Sequence, residues 1–440
     1  LKVGLLSFHF YNTTAEGLAT AKLARALTDS GHAVTVFTSL DNPLHGTPVI
    51  NSDGLLSGIT IHRVEADPDL VPGWWTALEK RVGRNATWDK LGAVPNLAYG
   101  CTIREWAWVQ NVSRKTVHIF NSEGNFDVLH TRLNHPISHF AGLQVTRQLR
   151  QLPWCAYFSD PWPHHLYPEP YEFTVGPASR YRSERILDRI LKRAGSYVFP
   201  SARLRNYLLQ GKRARFLSKA FVAPHLTASC GNASAPDSNG TLRIRHSGFL
   251  MRERKIGPML DGVRAFFSRR PNAKLSIEFA GRYQGNVLPV APADLLDVVS
   301  FHPYMDPDAI GDWLQGADVF LLVEAKMKEG IYLPSKLSEY LGGGRPILAL
   351  SPTQGVLADC LQEGGGIVVE PDDVNGISVA LSRLYEAWET GRLNEMRPNE
   401  SQVQSVSPSQ VVPIYEKAFQ SAIEQTSERE KMNKGEKGNG

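Results

Sequence analysis

The feature that most limits the fold of this chain is an alternation. Short apolar runs alternate with segments of helical period, and the pattern occurs twice. The first series opens with the run Val3 to Phe8 and a loop, HFYNTTAEG; Leu18, Ala21, Leu23, Ala24 and Leu27 then recur at helical spacing. Gly31 and His32 end that helix, and Ala33 to Thr38 forms the next run. Strand, helix and strand in this order predict a parallel pair joined by a right-handed crossover. The series resumes with FDVLHTR at 126–132, a helix from about 137 to 149, a strand and loop in PWCAYFSDPW, and a strand at 195–200. A small, polar stretch at 225–240, HLTASCGNASAPDSNG, reads as a linker. Beyond it the alternation restarts, with strands at 242–247, 275–280, 298–302, 319–323 and 366–369 and helices at 256–267, 309–315 and 374–388.

A chain of 440 residues is too long for one core, since single cores stop growing at about 250–300 residues. The expected organisation is a first domain over 1–224, the linker 225–240, a second domain over 241–405, and a helix over 406–426 that follows the completed second sheet. The charged, Gly-rich tail 427–440 is expected to be disordered. The fold class is α/β, with two Rossmann-like doubly wound domains facing across a cleft. Ligands of such sheets bind outside the carboxyl ends of the strands, so the loops after strands are where chemistry is sought. Residues 70–121 interrupt the alternation and hold five of the nine tryptophans. They read either as a helical insertion packed on the first domain or as an acceptor or membrane-interface surface.

Composition excludes several classes. The net charge of +4 is too small to argue for nucleic acid, although it suits anionic ligands and a weak attraction to an anionic membrane. The four cysteines are scattered without a CxxC pair, which argues against zinc and for free thiols in a reducing cytoplasm. No run of 18 apolar residues marks a transmembrane helix, and the start LKVGLLSF lacks the long apolar region of a signal peptide.

The most informative local stretch is LPSKLSEYLGGGRPIL, from Leu333 to Leu348. Its proline sets up a helix start, Lys336 and Glu339 share one helical face, three glycines stop the helix, and an apolar strand follows. A cation and an anion beside outward-pointing N–H groups suit a ligand with a phosphate and a hydroxylated sugar. Arg252, Arg254 and Lys255 follow the strand 242–247 and form either a diphosphate clamp or a solvated loop. In the first loop, Thr13, Thr14, Glu16 and Gly17 precede a helix, as a phosphate- or hydroxyl-receiving turn or a plain one; a complete GxGxxG is absent. Asp160, in FSDPWPHH, would accept a proton, hold a hydroxyl or cap a turn. His130, at the end of DVLHTR, reads equally as a site residue or a packed histidine.

Together these segments resemble the family 4-like nucleotide-sugar glycosyltransferases of the GT-B fold, of the bacterial surface-polysaccharide type. The resemblance runs through GHAVTVFTS, FDVLHTRLNHPISHFAGLQVTRQLRQLPWCAYFSDPWP, HSGFLMRERK, ADVFLLV and LPSKLSEYLGGGRPIL, and so covers nearly the whole chain. It implies a transferase, of hexosyl type, that moves sugar from a nucleotide diphosphate-sugar to a glycan or lipid-linked acceptor in the cytoplasm, in peripheral contact with the inner face of the membrane. No metal or other cofactor is implied. By the resemblance, Glu339 holds the ribose hydroxyls, Arg254, Lys255 and Lys336 neutralise the diphosphate, with Arg252, Ser335 and Gly17 also on the donor, and Asp160 and His130 serve catalysis. The last helix would cross back to the first domain. The chain departs from the family pattern in two places. Ile331 stands where many members carry the first of two glutamates eight residues apart, with Glu329 nearby but out of register. Glu16-Gly17 stands for the usual Gly-Gly. An epimerase of the same fold and a non-catalytic partner protein are the alternatives.

Overall fold

The computed structural model describes residues 1–11, 14–40, 54–71, 73, 101–133, 136–227 and 240–437. Trp74, Trp75, Trp88 and Cys230, with most of the proposed linker and Thr13 of the first loop, lie outside them. The chain forms two compact units. The N-terminal unit is Leu1–Tyr167, Glu172–Ala223 and Val412–Gly440; the C-terminal unit is Pro168–Tyr171 and Pro224–Val411.

The N-terminal unit is built on a seven-stranded sheet in the order β3-β2-β1-β4-β5-β6-β7. Its strands are β1 (Lys2–Leu6), β2 (Ala33–Ser39), β3 (Thr60–Val64), β4 (Val128–Leu133), β5 (Trp154–Phe158), β6 (Ser196–Phe199) and β7 (Ala220–Val222), and every pairing is parallel. The helices are α1 (Ala15–Asp29), α2 (Ile103–Ser122), α3 (Ile137–Gln148), α4 (Pro177–Arg193) and α5 (Ala202–Leu208). Central strands are buried along their whole length, as a sheet with both faces covered requires. Helix α2 comes from the Trp-rich interruption and packs onto the unit, with Trp108 buried against Phe8.

The C-terminal unit carries a six-stranded parallel sheet in the order β10-β9-β8-β11-β12-β13. Its strands are β8 (Leu242–Ser247), β9 (Leu275–Ala280), β10 (Val299–His302), β11 (Val319–Val323), β12 (Ile347–Leu350) and β13 (Gly366–Val369). The helices are α6 (Gly257–Arg269), α7 (Pro307–Gln315), α8 (Ser335–Gly342), α9 (Val356–Leu361), α10 (Val374–Glu389) and α11 (Glu400–Ser405). The strand period of two splits the core into two layers. Leu321, Val323 and Leu348 face Met259, Val263 and Phe266 of α6 and Ile377 and Leu381 of α10. Phe320, Leu322, Ile347 and Ala349 face Leu337, Tyr340 and Leu341 of α8 and Leu357 of α9.

The last helix, α12 (Pro408–Lys437), belongs to the N-terminal unit from Val412 onward. Ala418, Phe419 and Ala422 are fully buried there, and Ser196 Oγ donates to the Ala418 carbonyl at 2.6 Å. The helix does not stop at Thr426, as composition suggested. Arg429 donates to the carbonyls of Arg193 and Ala194 at 2.7 and 3.3 Å, and these bonds hold the beginning of the stretch expected to be disordered, which is helical to Lys437. Among the described residues no helix is long and apolar enough to cross a membrane.

Candidate functional site

Each sheet has one point where the strand order reverses, β1/β4 in the N-terminal unit and β8/β11 in the C-terminal unit. Loops diverge there, which opens a crevice at the carboxyl ends of the strands. Both reversal points hold a buried or half-buried arginine–glutamate pair.

In the N-terminal unit the pair is Glu16 on α1 and Arg132 on β4, with Arg132 Nε 2.9 Å from Glu16 Oε1 and both side chains almost wholly buried. Arg132 also donates to Tyr415 Oη at 3.2 Å and lies 3.9 Å over the Tyr157 ring. Thr20 Oγ1 donates to the same Glu16 oxygen at 3.1 Å. Asp160 follows β5, and Ser159 Oγ donates to its Oδ2 at 2.8 Å. Burial drives the Asp160 carboxyl up to about 6 against the help of the Ser159 hydroxyl, with the charge of Glu16 pushing the same way. An acid poised there is divided between its two protonation states just below neutral pH, the condition general base catalysis favours.

Two expected site residues are corrected. His130 lies wholly inside the unit, its Nδ1 3.2 Å from the Cys155 carbonyl and its ring edge-on to Tyr415 and Phe419. Burial, then the charge of Arg132, hold it well below the ordinary histidine range, so it is a neutral packed residue and leaves the catalytic set. The N–H of Gly17 is committed to Thr14 Oγ1 at 3.0 Å in the N-cap of α1, and so is spent before any phosphate arrives. His165, beside Asp160 in sequence, pairs with Glu184 at 2.8 Å.

In the C-terminal unit the reversal point gathers residues from three segments. Glu324 directly follows β11 and is 4 % exposed. Arg254, from the loop after β8, reaches it with Nη2 at 3.2 Å, and its Nη1 donates to the Phe249 carbonyl at 3.4 Å. The Tyr171 side chain lies near Arg254. Burial raises the Glu324 carboxyl, and Arg254 and then Lys336 pull it back, so both cations act on one carboxylate. Lys336 lies over Gly248, where a Cβ would meet its Cε at 2.5 Å and its Nζ at 2.8 Å. Gly248 has φ of +142°, a backbone only glycine takes readily, and this open spot lets the lysine cross the strand end. His246, buried one turn of strand before it, bonds through Nδ1 to the Leu321 carbonyl at 2.9 Å; burial lowers it to about 3, and it stays neutral beside the two cations.

Of the expected phosphate ligands, Arg254 and Lys336 therefore meet around one carboxylate. Arg252 and Lys255 are exposed on the same loop; Ser335 opens α8 half-buried, and Glu339 is exposed on its outer face. Ile331 is buried and makes no carboxylate available. Glu324 was missed by sequence reasoning, although its signal was the one that singled out Asp160: an acid immediately after an apolar strand. Glu16 and Arg132 were missed as a pair because 116 positions separate them. Among the described residues no group of His, Cys, Asp and Glu side chains is arranged to hold a metal ion.

Residues 16–216 match the family model of the glycosyl transferase 4-like domain. The match spans a little under half of the chain, whose two Rossmann-like units have the GT-B fold. Solved structures share that fold over almost the full length at low identity. One, a glycosyltransferase from Rickettsia africae, is 11 % identical and covers 96 % of this chain and 99 % of its own, at a TM-score of 0.58. HepE from Anabaena, in complex with UDP and glucose, is 11 % identical over 95 % and 98 %, at 0.59. The catalytic domain of starch synthase IV from Arabidopsis thaliana, bound to ADP and acarbose, is 12 % identical over 96 % and 99 %, at 0.60. No curated protein matches the chain by sequence.

Proposed function

We propose that this protein is a glycosyltransferase that moves a hexosyl group from a nucleoside diphosphate-sugar to a hydroxyl of a glycan or lipid-linked acceptor, in the assembly of a surface polysaccharide or glycolipid in the cytoplasm. The observation that carries the donor reading is the convergence of Arg254 and Lys336 on Glu324 at the reversal point of the C-terminal sheet. A carboxylate that half-neutralises two fixed cations keeps them assembled while leaving net positive charge for a diphosphate. That HepE and starch synthase IV were solved with UDP and ADP supports a nucleotide at this fold's donor site.

In the reaction, the acceptor oxygen forms a bond to the anomeric carbon and the bond from that carbon to the diphosphate oxygen breaks. The leaving diphosphate gains negative charge as it departs, and Arg254 and Lys336 stabilise that charge without a metal, an electrostatic role that grows along the reaction. Arg252, Lys255 and Ser335 add donors to the phosphates, and Glu339 takes the ribose hydroxyls. Asp160 receives the acceptor's proton or positions its hydroxyl. Mass spectrometry of UDP-, GDP- and ADP-sugars with and without glycan and lipid-linked acceptors tests the reading. Acceptor-dependent release of the nucleoside diphosphate with a product heavier by one sugar supports it. Solvent deuterium entering the donor sugar without acceptor would make the protein an epimerase, and nucleotide binding without turnover would make it a non-catalytic partner.

A further inference from the structure

The crevice of the C-terminal unit opens because two neighbouring strands stop pairing, and the side chains that part them have no role yet in the proposed transfer. Strand β8 pairs with β11 at Ile244–Val319 and Arg245–Phe320, and among the described residues the pairing ends there. With β9, on its other side, β8 stays paired as far as Ser247 with Ala280, and the Gly248 N–H donates to the Ala280 carbonyl at 2.8 Å. The same parallel pattern, carried one residue further along β11, sets His246 opposite Leu321 and aims the Ser247 N–H at the Leu321 carbonyl. Two side chains replace that bond. His246 Nδ1 donates to the Leu321 carbonyl at 2.9 Å. The Ser247 N–H donates instead to Tyr340 Oη at 3.0 Å, and the Ser247 and Tyr340 hydroxyls lie 3.2 Å apart. Both backbone groups of the missing ladder bond therefore keep a partner where the strands diverge.

We infer, resting on the donor reading of Arg254 and Lys336, that His246 and Tyr340 are positioning residues: they hold the carboxyl ends of β8 and β11 apart, and so seat Lys336 for the donor's diphosphate. Tyr340 lies four residues after Lys336, on the same face of α8. The two reach consecutive residues of the strand end, Tyr340 the backbone of Ser247 and Lys336 the open side of Gly248. The Tyr340 ring is buried and stacks on Phe320, with centroids 4.4 Å apart and planes 20° apart, which fixes where its hydroxyl stands. Without that hydroxyl the Ser247 N–H would lack its acceptor, and the Leu321 carbonyl is the ladder partner that remains to it. β8 would then close onto β11 and draw Gly248 away from Lys336. A strand end built for stability alone would continue the ladder, which satisfies the same two backbone groups without help from side chains.

Calorimetry of the full chain with UDP, GDP and ADP tests it. Tyr340→Phe keeps the stack on Phe320 and removes only the hydroxyl. It should weaken whichever diphosphate binds the unaltered protein by about tenfold. In a Lys336→Ala background the same change should weaken binding by less than about twofold, because the hydroxyl acts through the lysine. A tyrosine with a structural role alone would give the same factor in both backgrounds. If Tyr340→Phe fails to fold, His246 takes its place in the test. His246→Leu, which cannot donate to the Leu321 carbonyl, should weaken binding with the same dependence on Lys336, and His246→Asn, whose amide can donate there, should recover most of the loss. Equal factors with and without Lys336, or unchanged affinity in Tyr340→Phe, would overturn the positioning role and leave the donor site standing. If Arg254→Ala and Lys336→Ala both bind the three diphosphates as the unaltered protein does, the donor reading itself falls, and this inference with it.

Discussion

Replacing Asp160 by asparagine should stabilise the protein at neutral pH while lowering its activity. The carboxyl is raised from about 3.8 to about 6 in the folded chain, mainly by burial. Below the lower value both folded and unfolded chains hold the proton, and the group contributes nothing. As pH rises the unfolded chain loses its proton first, so stability falls through this window and the penalty is complete above the folded value. At 1.36 kcal/mol per unit the full penalty is about 3 kcal/mol, and linkage gives about 1.6 kcal/mol at pH 5. Asparagine keeps an oxygen to accept from Ser159 Oγ, now 2.8 Å from Oδ2, and carries no charge to desolvate. Urea unfolding of both chains at pH 5 and pH 7.5 should therefore show the variant more stable at both, with an advantage that grows by about 1.4 kcal/mol. The same titration should appear in turnover, where kcat/KM of the unaltered enzyme rises through pH 6 and the asparagine variant loses about 100-fold or more. A stability advantage that is flat with pH, or absent, would refute the burial argument. Full activity in the variant would remove Asp160 from the chemistry.

Glu324→Gln should cost about 2–3 kcal/mol, below the range for a fully buried pair because Arg254 keeps a quarter of its side chain in water; a thermal shift with added UDP should recover part of the loss, since a diphosphate supplies the missing negative charge. Gly248→Ala should weaken nucleotide binding about tenfold by displacing Lys336, whose Cε would lie 2.5 Å from the new methyl; calorimetry with unchanged affinity would contradict that placement. Glu16→Gln should destabilise by about 3–5 kcal/mol, because it leaves the almost wholly buried Arg132 without its anion; chemical unfolding reads this directly.

Much of the fold could be read from local signals. The runs at 319–323 and 347–350, and the helix between them ended by glycines, stand where their apolar pattern put them because strand burial and helix stops are encoded within a few residues. The helix α4 was overlooked although Leu187, Ile190 and Leu191 repeat at helical spacing, since its many arginines hide the stripe. The short edge strands β3 and β7 were also overlooked, because little of their surface is buried and their pattern is weak. The site was only half legible. Lys336 and Arg254 announce themselves as cations at strand-end loops, but that both act on Glu324 depends on the order of β8 and β11 in the sheet, which no local pattern states. His130 misled because a strand buried on both faces places every side chain in the interior, polar ones included.

The proposed donor site rests on Arg254 and Lys336 binding the diphosphate. Calorimetric titration with UDP, GDP and ADP, each beside its nucleoside, tests it most directly. At least one diphosphate should bind, its nucleoside should bind far more weakly, and Arg254→Ala and Lys336→Ala should each lose about 10- to 100-fold, the cost of a charge-assisted hydrogen bond. Diphosphate affinity unchanged in both variants would contradict it.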